Sequence, residues 1–324
     1  MAYRDLYLTA TGCSQIRRIE TEASYGQITS TAVVECDSTT LAMGDSVTID
    51  AGYTSNHATL FGGFVKRIDY VRPDNVIRVT CNDTLVKAVD FFIASDDPEK
   101  PFQRNNISTP NLVGDLLQLA SINPIDYDLH DPGFTWGTNP DGARFNLQTV
   151  ADAVQFIASI VGYTIYTGTD GIVRFRARKP YVEGGDTPTV TFTTGAAGNI
   201  IDIAYSASID KTRNVVKVYG KTPLTARASA ANPYLIVDQT VVIAHELLDE
   251  QSLCDGTASI NLTLLNRLAE TYEMTVEGDP AIQARGIGSI TESFTGASNR
   301  SVFLYRVAHQ LGIEGYTCTI TATP

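Results

Sequence analysis

The sequence predicts a mixed, β-rich α+β fold: two similar small β-barrels flank an α+β middle domain, with a helical insertion in the second barrel region. Three observations predict it. Residues 1–95 and 181–324 are dominated by strand-like runs separated by turn residues. Residues 96–180 carry two stretches with helical apolar spacing. A hairpin-like stretch near the start, "FVKRIDYVRPDNVIRVTC" (64–81), has a counterpart near the end, "FLYRVAHQLGIEGYTCTI" (303–320).

The predicted first barrel, 1–95, reads as the strands "QITSTAVVEC", "SVTIDAG", "TLFGGFVKRIDYV" and "NVIRVTC". Arg72-Pro73-Asp74-Asn75 forms a turn, because Pro presets φ and Asp and Asn tolerate tight geometry. Gly62-Gly63 inside a strand run predicts a bulge or a sharp bend.

The predicted middle domain, 96–180, opens with the polar loop "DDPEKPFQRNN". A helix follows, with Thr109 as N-cap, Pro110 at the first helical position, and Leu112, Val113, Leu116, Leu117 and Ala120 as its apolar stripe. A second helix begins at Thr149, with Asp152 as capping partner and Gly162 as its stop. Its inward residues are Val150, Ala153, Val154, Ile157, Ile160 and Val161. A hairpin turning at Thr169-Asp170-Gly171 closes the domain.

The predicted second barrel, 181–324, is interrupted at about 243–271 by a short helix, "IAHELLDEQSLC", and a longer one, "DGTASINLTLLNRLAETY". Ile260, Leu264, Leu265 and Leu268 are the expected buried stripe. Strands "EMTVEGDP", "ARGIGSITES", "RSVFLYRVAHQL" and "GYTCTITA" complete it, and the segment 221–242 has no clear place.

The two outer parts echo one another. Arg67-Ile68 answers Arg306-Val307, Val79 and Cys81 answer Cys318 and Ile320, and Gly44-Asp45 answers Gly278-Asp279. Gly62-Gly63 and Gly286-Ile287-Gly288 supply a glycine-bearing strand in each. Duplication explains this, and so does the turn grammar common to β proteins; duplication is the favoured reading.

Composition bounds the function. A 324-residue chain that is 43% hydrophobic is long enough for more than one packed domain. No run of eighteen apolar residues exists, and the N-terminus lacks a basic segment followed by an apolar core, so neither a membrane span nor a secretory signal is expected. The five scattered cysteines form no CxxC pair, which predicts free thiols in a reducing compartment. A net charge of −12 disfavours a protein that grips nucleic acid, although acidity also serves solubility alone.

No catalytic, cofactor-binding or metal-binding residues are predicted. His245-Glu246 would need a second imidazole at position 249, which is Asp249. His57, His130 and His309 lack ligand spacing. Gly286-Ile287-Gly288 meets Thr291 where a dinucleotide loop needs its third glycine. There is no GxxxxGK[ST] and no GxSxG. Glu20, Glu22, Asp96, Asp97, Asp249 and Glu250 could pair as glycosidase carboxylates, but all read as solvated. Trp136 with Phe134 could form a glycan platform, and an anchored loop aromatic is the favoured alternative.

Four stretches together resemble a known family: "TLFGGFVKRIDYVRPDNVIRVTCND", "TVADAVQFIASIVGYTIYTGTDGIVRF", "NVVKVYGK" and "RLAETYEMTVEGDPAIQARG". They are similar, in order, to the first barrel hairpin, the middle helix and hairpin, the entry strand of the second barrel, and the closing helix and strand of the baseplate hub proteins of contractile phage tails. That group includes phage late control protein D and the hub part of type VI secretion spikes. The resemblance implies a non-enzymatic homotrimeric ring in the virion tail baseplate, assembled in the bacterial host cytoplasm. Two barrels per chain would join a six-fold tail tube to a three-fold spike. The implied partners are a separate trimeric spike protein, a tail tube or tube-initiator protein and baseplate wedge proteins, with DNA only as passing cargo and no membrane insertion. The chain ends at Pro324 directly after the last strand, so the spike is expected on another polypeptide. The competing readings are a cell-wall-degrading enzyme of the tail and a β-rich glycan-binding module.

Overall fold

The computed structural model describes residues 5–72, 74–94, 101–138, 142–177 and 179–324. Pro73 of the predicted turn, Asp96 and Asp97 lie outside the described residues. Strands hold 49% of the described residues and helices 15%, which makes it a β-rich α+β protein.

Twelve strands join in one sheet. Six come from the N-terminal part: β1 (Leu6–Ala10), β2 (Cys13–Ser24), β3 (Thr31–Thr39), β4 (Ser46–Tyr53), β5 (Asn56–Val71) and β6 (Val76–Asn82). The middle supplies α1 (Thr109–Leu119), α2 (Val150–Val161), β7 (Tyr163–Thr167) and β8 (Val173–Ala177). Then follow β9 (Val190–Thr193), β10 (Ile200–Ser208), β11 (Val215–Tyr219), β12 (Thr225–Ser229), β13 (Thr240–Ala244) and α3 (Gln251–Leu265). The last strands are β14 (Ala269–Glu277), β15 (Ile287–Glu292), β16 (Ala297–Gly312) and β17 (Gly315–Thr323). The sheet runs β1-β4-β5-β6-β3-β2-β16-β17-β14-β10, with β15 on β16 and β9 on β15.

Within it one strand order occurs twice. The order β4-β5-β6-β3-β2 matches β15-β16-β17-β14-β10 strand for strand. The irregularities match too. The β5–β6 ladder shifts between Val65 and Arg67, and the β16–β17 ladder between Leu304 and Arg306. The β2–β3 ladder shifts between Ile16 and Arg18, and the β10–β14 ladder between Ile200 and Asp202. A bulge inserts one residue and turns the strand, so the same bulge at the same step gives both copies the same bend.

This register corrects two details of the sequence alignment. Arg67 does answer Arg306, but Val79 opposite Ile68 answers Ile320 opposite Val307, two residues beyond Cys318. The second hairpin is longer at its tip, and pairing rather than residue type sets the equivalence. Gly44-Asp45 corresponds to Arg285-Gly286, not to Gly278-Asp279. In both copies the first residue donates its N–H to the strand (Gly44 to Val65 O, Arg285 to Leu304 O), and the second accepts back from it. Gly44 and Arg285 both have positive φ, +86° and +70°.

Gly62-Gly63 is not itself the bulge, which falls opposite Ile49 and Asp50, between Phe61 and Thr59. The two glycines permit close approach instead. A Cβ on Gly62 would sit 3.1 Å from the Thr169 carbonyl oxygen, and one on Gly63 would collide with the Asn82 carbonyl oxygen and the Phe61 ring. Gly63→Ala is therefore expected to lower the unfolding free energy by about 1–3 kcal/mol, read from the urea midpoint.

Helix α2 forms as its sequence predicts. Thr149 Oγ1 accepts the Asp152 N–H at 3.0 Å, Asp152 accepts the Thr149 N–H at 3.3 Å, and Gly162 ends the helix at φ +69°. Helix α1 is capped one residue earlier than predicted, at Ser108. Thr109 is buried instead, donating to Phe134 O at 3.1 Å and accepting from Trp136 Nε1 at 2.9 Å. The region expected to hold two helices holds one. Ile243 and Ala244 belong to β13, His245–Leu248 form a turn, and residues 269–272 are already β14. Its buried stripe is Leu253, Cys254, Thr257 and Ala258, whereas Ile260, Leu264, Leu265 and Leu268 are only half-buried.

Two apolar cores result. One is shared by both copies of the repeat and includes Ile19, Val34, Val79, Met274, Leu304 and Ile320. The other combines α1, α2, β7 and β8 with Val216, Val218, Leu253 and Ala258 from the segment between β10 and β14. That segment leaves the sheet, forms its own β12-β11-β13 sheet and packs on the middle region. Strands β12 and β13 account for part of the unplaced stretch 221–242; Tyr234, Ile236 and Val237 between them are exposed.

Candidate functional site

The repeated sheet has one apolar face and one polar face, because alternate residues of a strand point to opposite sides. Val34, Val79, Ile320 and Met274 lie in the core. The opposite face carries cross-strand rows that the registers align. One row is Arg18–Glu35–Arg78–Asp69. Another runs from Glu22 through Ala308, Thr319 and Thr275 to Asp202.

Each arginine of this face has a carboxylate: Arg17–Asp37 at 2.5 Å, Arg78–Glu35 at 2.7 Å, Arg67–Asp69 at 2.8 Å, Arg306–Glu22 at 2.8 Å, and Arg18–Glu20. Exposed pairs of this kind add only about 0–1 kcal/mol each. Their effect is to organise charge rather than to hold the fold. Asp202, Glu273 and Glu277 point to the same face, which therefore carries more carboxylates than arginines. Glu20 and Glu22, possible glycosidase carboxylates by sequence, thus lie in this ion-paired face, with Glu22 gripped by both Nε and Nη2 of Arg306 at 2.8 Å.

A cleft of about 310 Å³ lies where the repeated sheet meets the middle hairpin, lined by Thr21, Asp83, Tyr166, Thr167, Arg285 and His309 among others. Arg285 donates to Ser24 O at 2.7 Å and lies 4.3 Å over the Tyr166 ring; burial draws its pKa down to about 10. Asp83 accepts from the backbone N–H groups of Ser30 at 2.5 Å and Leu85 at 3.0 Å, yet burial raises its pKa to about 6. His309 is buried with Nδ1 2.7 Å from Tyr316 Oη, and burial lowers its pKa to about 4. These groups fasten strands and hairpin to one another.

The two shifts oppose each other in pH dependence. The fold disfavours His309 protonation, so that contribution is complete above pH 6.5 and is lost as pH falls toward 4. It favours protonated Asp83, so stability is gained as pH falls from about 6 toward 3.8. Each is worth about 3 kcal/mol at about 1.4 kcal/mol per pKa unit. His309→Gln leaves the Asp83 effect uncompensated. Relative to the native chain, the variant is expected to gain up to about 3 kcal/mol between pH 6.5 and 4 in urea unfolding.

The remaining sequence candidates have structural roles. His245 lies against Phe156 with ring centroids 3.8 Å apart and the planes tilted by 32°, its Nδ1 accepts the Leu247 N–H at 3.1 Å, and burial lowers its pKa. Glu250 caps α3 by position. Trp136 is fully buried and offers no platform. Among the described residues no group of three or more His, Cys, Asp or Glu is arranged to hold a metal ion. No described helix is long and apolar enough to cross a membrane. All five cysteines are free. What sequence reading missed is β2, whose charged positions Arg18, Glu20 and Glu22 conceal a strand that joins the two repeats.

No protein-family model and no curated protein matches the sequence. The structure is nevertheless similar over nearly its whole length to phage tail proteins. A tail protein from Neisseria meningitidis MC58 aligns with a TM-score of 0.73 at 12% identity, covering 99% of this chain and 97% of that one. The 43 kDa tail protein of prophage MuSo2 from Shewanella oneidensis gives 0.67 at 14% identity, with 99% and 98% covered. The E. coli c3393 protein, a component of the type VI secretion system, gives 0.57 at 11% identity, with 98% of this chain and 76% of that one covered. The class defined is the fold of phage tail proteins and of a type VI secretion component.

Proposed function

We propose that this chain is the structural, non-enzymatic hub of a contractile phage tail or a related injection machine. Three copies form a ring in the baseplate, and each repeat, within 1–95 and 181–324, curls into a small barrel beside the 96–180 middle domain. Six similar units then meet a six-fold tail tube or tube-initiator protein, while three chains meet a separate trimeric spike protein; wedge proteins attach outside. The observation that carries this reading is the repeated five-strand order with its matching bulges, in a fold shared with tail proteins. A duplicated unit lets a three-chain ring present six similar surfaces by closed rotation. The acidic polar face of the sheet lines the channel, where carboxylates discourage adhesion of passing DNA.

The test is native mass together with low-resolution imaging. A species three times the 35.0 kDa chain, seen as a ring with a central hole, is the expected result. A monomer at every concentration would refute the reading.

A further inference from the structure

Inside the chain, the two repeats are joined by one junction. β2, the outer strand of the first repeat, pairs antiparallel with the second half of β16, from Arg18↔Gly312 to Ser24↔Arg306. The repeat equivalence carries this junction to a second place. β2 corresponds to β10, with Thr21 matched to Tyr205, because each pairs at the same step beyond its bulge. β16 corresponds to β5, with His309 matched to Tyr70. Yet, among the described residues, β10 ends the sheet and the second half of β5 pairs with β6 alone.

Exposure shows the difference. Thr21 and His309, opposed in the internal junction, are 5% and 4% exposed; Tyr205 and Tyr70, their equivalents, are 38% and 77% exposed. Ile201 and Ile209 at the ends of β10 are exposed as well. A long unpaired edge with apolar side chains is a template for another strand.

We infer that β10 pairs antiparallel with β5 of a second copy of this chain, repeating the β2–β16 junction, in the register Tyr205↔Tyr70 and Ser206↔Asp69. This rests on the ring reading above and specifies its contact. In the ring proposed above this head-to-tail junction repeats from chain to chain until the rotation closes. Inside it, β5, β6, β3, β2, β16, β17, β14 and β10 of every chain form one continuous sheet around the channel. The two tyrosines then face each other across the junction as Thr21 and His309 do within it.

The register supplies a direct test. Tyr25 N–H donates to Tyr305 O, which makes Glu22/Ala308, and therefore Ser206/Asp69, a non-hydrogen-bonded pair. Such pairs have Cα atoms about 4.5 Å apart, within disulfide reach. Ser206→Cys combined with Asp69→Cys is oxidised and run without reductant, beside the native chain and an off-register control, Asp202→Cys with Asp69→Cys, about 13 Å from pairing at ~3.3 Å per residue. The expected result is a covalent ladder that stops at three chains in the first variant alone. A trimeric native mass without cross-linking, when both new thiols react with a maleimide, overturns the junction and leaves the hub reading standing. Equal cross-linking of the control also overturns it. A ladder that stops at another number supports the junction and removes the three-chain ring. A monomeric chain that does not cross-link removes both.

Discussion

Ala207→Pro is expected to turn the proposed ring into folded monomers. In β2 the N–H groups of residues 21, 23 and 25 point toward β16, and their equivalents in β10 are 205, 207 and 209. The 207 N–H therefore points away from β14, and proline there removes no hydrogen bond within the chain. Proline is tolerated on an edge strand for this reason, and its preceding residue is already extended. In the ring the same change leaves the Ile68 carbonyl of the neighbour without its donor and places a ring against it. Each junction should lose about 1–3 kcal/mol from the unpaired acceptor alone, before the steric clash is counted. Since every contact in the ring carries the defect, trimer should disappear at concentrations where the native chain is fully assembled. Sedimentation reads the assembly, and the thermal midpoint of the monomer at matched concentration reads the fold. Loss of folding together with assembly would contradict the edge placement of β10.

The second large effect concerns the polar face. Replacing Asp202, Glu273 and Glu277 with lysine adds cations on the face that already holds the Arg–carboxylate pairs. The proposed ring of native chains is expected to retain little duplex DNA even at low salt, and that of the lysine variant to retain it strongly. Binding driven by counterion release weakens linearly in log salt with a slope near −0.9 per phosphate neutralised, so the variant should show a slope of several units. The Asn and Gln versions of the same positions should lie between the two. Assembly should be unchanged or slightly firmer with the neutral set, because like charges around a ring repel and salt screens them. Tight duplex binding by the native ring would contradict a repelling conduit while leaving the ring itself intact.

Much of the local structure was legible in the sequence. Thr149-Asp152-Gly162 specified α2 from cap to stop, because capping acts within one turn of chain. The hairpins β5–β6, β7–β8 and β16–β17 were visible as strand–turn–strand runs, and the first-arm match of Arg67 with Arg306 was correct. The lack of any nucleophile, phosphate-loop or zinc-helix motif was also a property of the sequence alone.

Tertiary structure decided what depends on distant partners. Alternation tells which residues of a strand share a face, but not which strand lies beside it or in what register. The pairing of β2 with β16, nearly three hundred residues apart, follows from no local pattern, and neither does the match of Gly44 with Arg285. The boundary of α3 was misread for the same reason. Residues 243–248 have helical composition, yet pairing of β13 with β11 draws 243–244 into a strand and the turn follows. Helix propensity amounts to a few tenths of a kcal/mol per residue, and pairing with β11, with Val241 and Ile243 packed half-buried on the core, outweighs it. Sequence thus determined the elements and their faces. Long-range burial and strand pairing decided their partners, their register and which sheet edges stay unpaired within the chain.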